Sequence, residues 1–115
     1  MKRGEVYDAY LDPVEGSEQR GTRPVIIVSR DAINEASPVI LAVPCTAYRQ
    51  QHIYPSQLLL QAAEGGLDRN SVAMAEQVRA IDKRRLGRLH GTLSQAVVQR
   101  LNQALLIALD LPGQT

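Results

Sequence analysis

Short runs of apolar residues, separated by turn-forming polar residues, dominate the first two thirds of the chain. They are rich in Val and Ile, which favours strands over helices. The expected strands are Val6–Leu11, Val25–Ser29, Val39–Val43, Gln57–Leu60 and Ser71–Ala80. Asn34–Pro38 and Glu64–Asp68 supply turn residues between them. Because Val25–Ser29 is almost entirely apolar, we expect this strand to be central and buried on both faces.

Helical spacing replaces this pattern near the C-terminus. Apolar side chains recur at three- and four-residue intervals over residues 95–109, behind Ser94, whose hydroxyl can cap a helix. Between the strands and this helix, Asp82 is expected to cap a short basic turn, Lys83–Arg85, that is broken near Gly87. Five strands and one packed helix predict a mainly β fold with a C-terminal helix, in the form of a small, partly open β-barrel of the SH3-like type.

Length and charge narrow the functional classes. The 115 residues, 44% of them hydrophobic, suffice for one compact domain spanning residues 1–115. Thirteen Lys and Arg against twelve Asp and Glu give a net charge of +1, so nucleic-acid binding would have to depend on a local cluster. No apolar run suits a membrane span or a secretory signal, and we expect a cytoplasmic protein. With one cysteine and two histidines, we expect no disulfide, no structural zinc site and no cofactor, which leaves a carboxylate-held magnesium ion as the one open metal alternative.

A polar stretch leads into the central strand and is the first candidate for chemistry. Residues 16–23, GSEQRGTR, run directly into Pro24. Pro24 biases Arg23 toward an extended conformation, so the guanidinium projects from a constrained base. Local chemistry leaves two interpretations open: a solvated loop with an exposed ion pair, or a preorganised site for a phosphate. Thr46 follows the next apolar strand and would open onto the same rim if the two strands are neighbours, although such a hydroxyl can also serve a turn.

Four motifs follow one another along nearly the whole chain. They are RGEVYDAYLDP at residues 3–13, GSEQRGTRPVIIVS at 16–29, PCT at 44–46 and SVAMAEQVRAIDKRRLGRL at 71–89. They resemble the motifs of the MazF/PemK family of toxin endoribonucleases, and the resemblance extends from Arg3 to about Leu109. It implies an SH3-like barrel with a C-terminal helix, usually a homodimer, that cuts single-stranded RNA without a metal. It also implies a cognate antitoxin that occupies the RNA groove, and DNA binding by the toxin–antitoxin complex.

The resemblance implies roles for individual residues. The family's catalytic arginine and threonine fall on Arg23 and Thr46, and Glu18 is a candidate general base whose alternative role is to orient Arg23 through an ion pair. The residues expected to contact RNA are Gln19, Arg20, Ser29, Tyr48, Gln77 and Arg79. Two positions depart from the family pattern: Asp8 stands where an aromatic or apolar residue is common, and Cys45 replaces a common Leu or Ile.

The implied reaction is transfer of the scissile phosphate to the neighbouring ribose 2′-hydroxyl, leaving a cyclic phosphate and a free 5′-hydroxyl. Arg23 would stabilise the charge that gathers on the phosphate, and Thr46 would hold a phosphate oxygen. By its chemistry alone, His52 competes with Glu18 for the role of base. The RNA sequence that is recognised does not follow from the motifs.

Several residues and two other functional classes complete the expectations. Tyr48 and Tyr54 are suited to stacking on unpaired bases, whereas Tyr7 and Tyr10 are expected to pack, as is Cys45.

A gyrase-poisoning toxin of the same fold would bind a protein target without hydrolysis; its relatives act through a C-terminal tip that contains Trp, and this chain has no Trp. A catalytically inert binding module is the remaining alternative.

Overall fold

The computed structural model describes residues 1–11 and 21–113. Within these residues, seven β-strands and two α-helices follow one another. In chain order they are β1 (Glu5–Tyr10), β2 (Thr22–Ile27), α1 (Asp31–Ala36), β3 (Val39–Ala47), β4 (Gln57–Leu60), β5 (Ser71–Met74), β6 (Arg79–Asp82), β7 (Leu86–Thr92) and α2 (Gln95–Leu109). Single 3₁₀ turns occur at Glu64–Gly66, Ala75–Gln77 and Lys83–Arg85. Neither helix in these two segments is long and apolar enough to cross a membrane.

All strand pairs are antiparallel, and together they form one open sheet. The strand order is β4-β5-β3-β2-β1-β7, and β6 pairs with β3 outside this order. Across the described part of the chain, the end strands β4 and β7 do not pair with each other, which confirms the predicted partly open barrel. β2 lies between β1 and β3, and its Val25, Ile26 and Ile27 have no exposed surface, which confirms the predicted central strand.

Two clusters of buried side chains occupy the two faces of the central strand. Ile26 belongs to the first cluster, whereas Val25 and Ile27 belong to the second, because successive side chains of a strand point to opposite faces. The helix α2 covers the first cluster and buries Leu101 in it, a burial that stabilises the fold by about 1.5–3 kcal/mol. The Ser94 hydroxyl accepts a hydrogen bond from a backbone N–H of the first helical turn, as predicted for its cap.

Strand β3 carries the chain from one part of the sheet to another. Val39–Ala42 pairs with β6, and the last three residues of the strand pair with β5. Pro44 lies between these two stretches, so its missing N–H interrupts neither ladder. β2 and β3 stay paired as far as Val25 opposite Pro44. Arg23 and Thr46 lie two residues beyond this last pair, at the end where the two strands separate.

The second half of the sheet differs from the sequence expectation. The stretch Ser71–Ala80 is not one strand, because the 3₁₀ turn Ala75–Gln77 separates β5 from β6. The predicted basic turn is confirmed, because the Asp82 side chain accepts from the Arg84 N–H and the 3₁₀ turn Lys83–Arg85 ends before Gly87, which lies inside β7. A Cβ atom at Gly87 would come within 3.7 Å of the Asp8 Cβ, so this part of β7 lies close against β1. The sheet therefore has seven strands in place of the expected five.

The segment expected as the turn Asn34–Pro38 belongs largely to α1. Asn34 is 2% exposed, and its side-chain amide donates to the Ser29 carbonyl at 2.8 Å. The Ser29 hydroxyl donates to the Asn34 side-chain oxygen and accepts from the Leu41 N–H at 3.0 Å. These hydrogen bonds satisfy the buried polar groups, which explains why a residue typical of turns lies inside a helix here.

Candidate active site

A pocket of about 310 Å³ opens where β2 and β3 separate. Its lining comes from β1, β2, β3, β7 and the segment that leads into β5. Arg23 and Thr46 line it together, as expected if their strands are neighbours. The ionisable side chains in the lining, apart from the cysteine, belong to Asp8, Arg23, Asp68, Arg69 and His90. The pocket thus combines cationic and anionic groups around the two residues expected to act on phosphate.

Strand geometry places Arg23 and Thr46 on one face of the sheet. Side chains alternate along a strand, so Arg23 shares its face with Val25, and Thr46 shares its face with Pro44. Val25 and Pro44 are register partners and therefore lie on the same face. Arg23 and Thr46 are both half-buried, and both lie at the ends of strands whose central residues are buried in the core. A guanidinium and a hydroxyl in this arrangement are two hydrogen-bond donors suited to phosphate oxygens.

A second polar group in the pocket joins β1 to β7. The His90 Nε2 lies 2.6 Å from the Asp8 Oδ1, and the Arg88 Nη2 lies 3.0 Å from the His90 Nδ1. A guanidinium can only donate, so the Nδ1 accepts and the Nε2 carries the hydrogen that the Asp8 carboxylate accepts. The His90 side chain is 6% exposed and that of Asp8 is 32% exposed. Asp8 is thus a partly exposed carboxylate that is hydrogen-bonded on one side by the buried imidazole of His90.

Neither Asp8 nor His90 is among the site residues predicted from the sequence. The unusual residue at position 8 is the only signal that the sequence offers, and its partner lies 82 positions away on a strand that was not predicted. Asp68 and Arg69 also enter the pocket lining without having been predicted. Within residues 1–11 and 21–113, no group of three or more His, Cys, Asp and Glu side chains is arranged to hold a metal ion.

Cys45 lines the pocket and also belongs to the first core cluster. Burial raises the pKa of its thiol to about 12, so the thiol stays protonated at neutral pH. A protonated, buried thiol is a poor nucleophile. The expectation that Cys45 packs in the core is confirmed.

Among the described residues, the predicted RNA contacts Ser29, Tyr48, Gln77 and Arg79 do not line this pocket. Gln77 and Arg79 line a separate depression together with Glu76. Tyr48 is half-buried two residues beyond Thr46, and its backbone N–H donates to the Asn70 carbonyl at 2.9 Å. Three of the predicted site residues, Glu18, Gln19 and Arg20, lie outside the described residues.

Ser29 and Tyr10 occupy environments that differ from those expected. Ser29 is 3% exposed and its hydroxyl takes part in the buried network with Asn34, so the structure leaves it no surface for RNA and gives it a structural role. Tyr10 is 53% exposed, so the expectation that it packs is wrong, whereas Tyr7 packs against the second cluster as expected. His52 is exposed, and its ring lies edge-on to that of Tyr54 with 4.5 Å between the centroids.

Comparison with known proteins assigns the chain to a family of toxins. The chain belongs to the family described as PemK-like, MazF-like toxin of type II toxin-antitoxin system, whose model matches residues 2–109. It is 40% identical over 111 residues to Endoribonuclease EndoA of Bacillus subtilis, covering 96% of both chains. It is 38% identical over 111 residues to Endoribonuclease MazF of Staphylococcus saprophyticus, covering 96% of this chain and 92% of the relative.

Solved structures agree with this family assignment. An endoribonuclease from a mycobacterial species, in complex with its cognate antitoxin, superimposes with a TM-score of 0.82 at 27% identity and covers 97% of both chains. MazF from Deinococcus radiodurans superimposes with a TM-score of 0.82 at 25% identity, covering 96% of this chain and 97% of the other. The fold is therefore that of the MazF structures.

Proposed function

We propose that this chain is a toxin endoribonuclease that cleaves single-stranded RNA at specific sequences by transferring the scissile phosphate to the neighbouring 2′-hydroxyl, without a metal ion. The observation that carries this proposal is that Arg23 and Thr46 line one pocket at the end of two buried strands. Family membership and the names of its endoribonuclease relatives support the same class of reaction. Its place of action would be the cytoplasm, where messenger RNA is accessible.

Arg23 and Thr46 would act on the phosphate during the transfer. The 2′-oxygen loses its proton and attacks phosphorus, the bond from phosphorus to the 5′-oxygen breaks, and the 5′-oxygen takes up a proton. Negative charge gathers on the non-bridging oxygens, where a permanently protonated guanidinium can form two parallel hydrogen bonds. The Thr46 hydroxyl supplies one neutral hydrogen bond. Because both groups are fixed by the barrel before RNA binds, little reorganisation is needed in the transition state.

Other residues would bind the RNA strand or accept the proton. Glu18 is the proposed general base. The proposed RNA contacts are Gln19, Arg20, Tyr48, Gln77 and Arg79. Since Gln77 and Arg79 line a different depression from Arg23, we propose that they bind nucleotides away from the scissile phosphate. A single strand of RNA has a charged backbone and exposed base faces, which guanidinium and aromatic groups bind.

Incubation with a long single-stranded RNA in excess EDTA tests the proposal. We expect cleavage at defined sites, with 2′,3′-cyclic phosphate and 5′-hydroxyl ends, at a rate that the chelator does not change. An absolute requirement for magnesium would contradict the mechanism. Intact RNA together with trapped gyrase–DNA complexes would favour the gyrase-poisoning alternative, and intact RNA without such complexes would favour an inert binding module.

Substitutions of Thr46 test its smaller role. Thr46→Ala should lower the single-turnover cleavage rate by roughly 10-fold, the value of one neutral hydrogen bond. Thr46→Ser restores a hydroxyl and should recover part of that loss. If both variants cleave RNA at the same rate as each other, the hydroxyl has no part in the reaction and Thr46 serves only the strand end.

Two partners follow from the proposed function. We propose a homodimer, because a chain of this size offers a small surface to a polymer, and sedimentation showing only monomers at micromolar concentration would contradict it.

We also propose a cognate antitoxin, since one structural neighbour is an endoribonuclease in complex with its own antitoxin. An acidic segment that orders on binding would place carboxylates near the phosphate positions. A complex that left the Arg23 pocket empty would exclude that mode of inhibition.

A further inference from the structure

We propose that Asp8 recognises a guanine beside the phosphate held by Arg23 and Thr46, and that His90 positions Asp8 for this contact. The inference rests on the proposed function, because it assigns the nucleotide preference of the same pocket. Asp8 would be a specificity-determining residue and His90 a positioning residue.

The pocket has an apolar part and a polar part. Pro24, Cys45 and Leu67 contribute apolar lining, and the Asp8 carboxylate is part of the polar lining. A volume of about 310 Å³ is at the low end of the range for small-molecule sites, about 300–1,000 Å³, and suits a single nucleotide unit. Unpaired bases are bound in this way, with their flat faces against apolar side chains and their edges on polar groups.

The hydrogen bond between His90 and Asp8 determines which acceptor groups of Asp8 face the pocket. The imidazole of His90 uses its one N–H on the Asp8 Oδ1 at 2.6 Å, and Arg88 occupies the other ring nitrogen. An ionised carboxylate has about four lone-pair sites, so most of them stay available on the exposed side. Asp8 therefore offers the pocket two adjacent acceptor oxygens whose orientation is fixed.

Asp8 is placed to contact a base and not the reacting phosphate. A carboxylate repels a phosphate, and Arg23 and Thr46 already supply donors for it. Asp8 pairs in register with Pro24, whereas Arg23 pairs with Ala9. The side chains of Asp8 and Arg23 therefore leave the sheet on opposite faces, although both reach the pocket rim. A phosphate bound by Arg23 and a base bound by Asp8 would therefore occupy different sides of the rim.

Guanine is the base whose edge matches two fixed acceptors. Its N1–H and N2–H donors are adjacent and can bind both oxygens of one carboxylate. In adenine and cytosine the amino donor stands beside a ring-nitrogen acceptor, and in uracil the N3–H stands between two carbonyl acceptors. Each of these three bases would place an acceptor against a carboxylate oxygen, which costs affinity.

The test uses a matched set of RNAs with one cleavage site, carrying guanosine, inosine or 7-deazaguanosine beside the scissile phosphate. Inosine lacks the 2-amino group, and 7-deazaguanosine keeps the whole Watson–Crick edge. For the wild-type protein, we expect inosine to lower kcat/KM by about 10- to 100-fold, the worth of a hydrogen bond to a charged group, and 7-deazaguanosine to leave it unchanged. Equal cleavage of guanosine and inosine RNAs would overturn the proposal.

Two carboxylate variants locate the contact. Asp8→Asn replaces one acceptor with a donor and should bring the guanosine-to-inosine ratio close to one. Asp68→Asn changes the other carboxylate in the pocket lining and should keep the wild-type ratio. Loss of the ratio in Asp68→Asn with its retention in Asp8→Asn would overturn the assignment. If Asp8→Asn slows all RNAs equally and keeps the ratio, Asp8 acts on the reaction itself, which would also overturn it.

The positioning role of His90 has its own readout. His90→Leu removes the donor behind Asp8 and should reduce the guanosine-to-inosine ratio, whereas His90→Gln restores an N–H and should recover part of it. Circular dichroism checks that both variants are folded. A folded His90→Leu with an unchanged ratio would remove His90 from the proposal.

Binding separates this inference from the proposed function. A 2′-O-methyl RNA cannot be cleaved by 2′-hydroxyl attack, so fluorescence anisotropy with guanosine and inosine versions measures base preference alone. If the protein cleaves no RNA but still binds the guanosine version more tightly than the inosine version, the proposed reaction fails and the guanine site stands. If it cleaves RNA and the two versions bind equally, the guanine site fails and the reaction stands.

Discussion

Replacing Arg23 with alanine should lower the single-turnover rate of RNA cleavage by at least about 100-fold, the scale seen when a preorganised charge-stabilising donor is removed. The fold should persist, because Arg23 is half-buried at the strand end and belongs to neither core cluster. Arg23→Lys should also fail to restore the rate. A lysine ammonium keeps the charge but lacks the planar fork that binds two phosphate oxygens at once.

Arg84 offers a matched control for the loss of a guanidinium. Its side chain is 91% exposed on the basic turn Lys83–Arg85 and is hydrogen-bonded to Asp82, outside the lining of the Arg23 pocket. Arg84→Ala should weaken RNA binding slightly, more visibly at low salt, and leave the cleavage step intact. Near-normal cleavage by a folded Arg23→Ala, or an equal loss in both variants, would remove Arg23 from the mechanism.

The sequence predicts that Arg23 and Thr46 meet at one rim because the relevant signals are local. Arg23 precedes one short apolar run and Thr46 follows another, and the apolar residues of each run indicate that the strand is buried. Pro24 restricts the backbone conformation of Arg23. Because β2 and β3 are paired neighbours, Arg23 and Thr46 then line the same pocket. Helix α2 is predicted for the same reason, since its cap and its apolar stripe lie within one segment.

The contact between Asp8 and His90 could not be predicted from local sequence patterns, because the two residues are 82 positions apart. Residues 86–92, LGRLHGT, contain two glycines and few β-branched residues, so their pattern does not predict the strand that carries His90. β7 forms because β1 offers it an edge, with register shifts on both sides of Tyr7. Ser29 shows the same limit for a residue that was predicted to contact RNA. Its partner Asn34 is typical of turns in the sequence, and only the fold shows that both residues are buried.

Gly66→Ala should be the more destabilising of the two glycine-to-alanine substitutions in the turn Glu64–Gly66, which packs against β7. Gly66 has a φ of +78°, and a Cβ built on it would lie 2.0 Å from the His90 carbonyl oxygen and 2.6 Å from the His90 carbonyl carbon. The clashing atoms are backbone, so no side-chain rotation relieves the overlap. Left-handed strain costs about 1–3 kcal/mol, and forced overpacking costs about 1–3 kcal/mol more. We expect the free energy of unfolding to fall by at least about 2 kcal/mol, measured by urea denaturation.

Gly21→Ala separates backbone strain from the clash. Gly21 has the same φ of +78°, but among the described residues no atom lies within 4 Å of a Cβ built there. This variant should therefore lose only the strain contribution, about 1–3 kcal/mol. The difference between the two variants measures how tightly the Glu64–Gly66 turn is held against the β7 backbone at His90. If Gly66→Ala were no less stable than Gly21→Ala, the turn and β7 could move apart at no cost, and the backbone behind His90 would not be the rigid support that its contact with Asp8 requires.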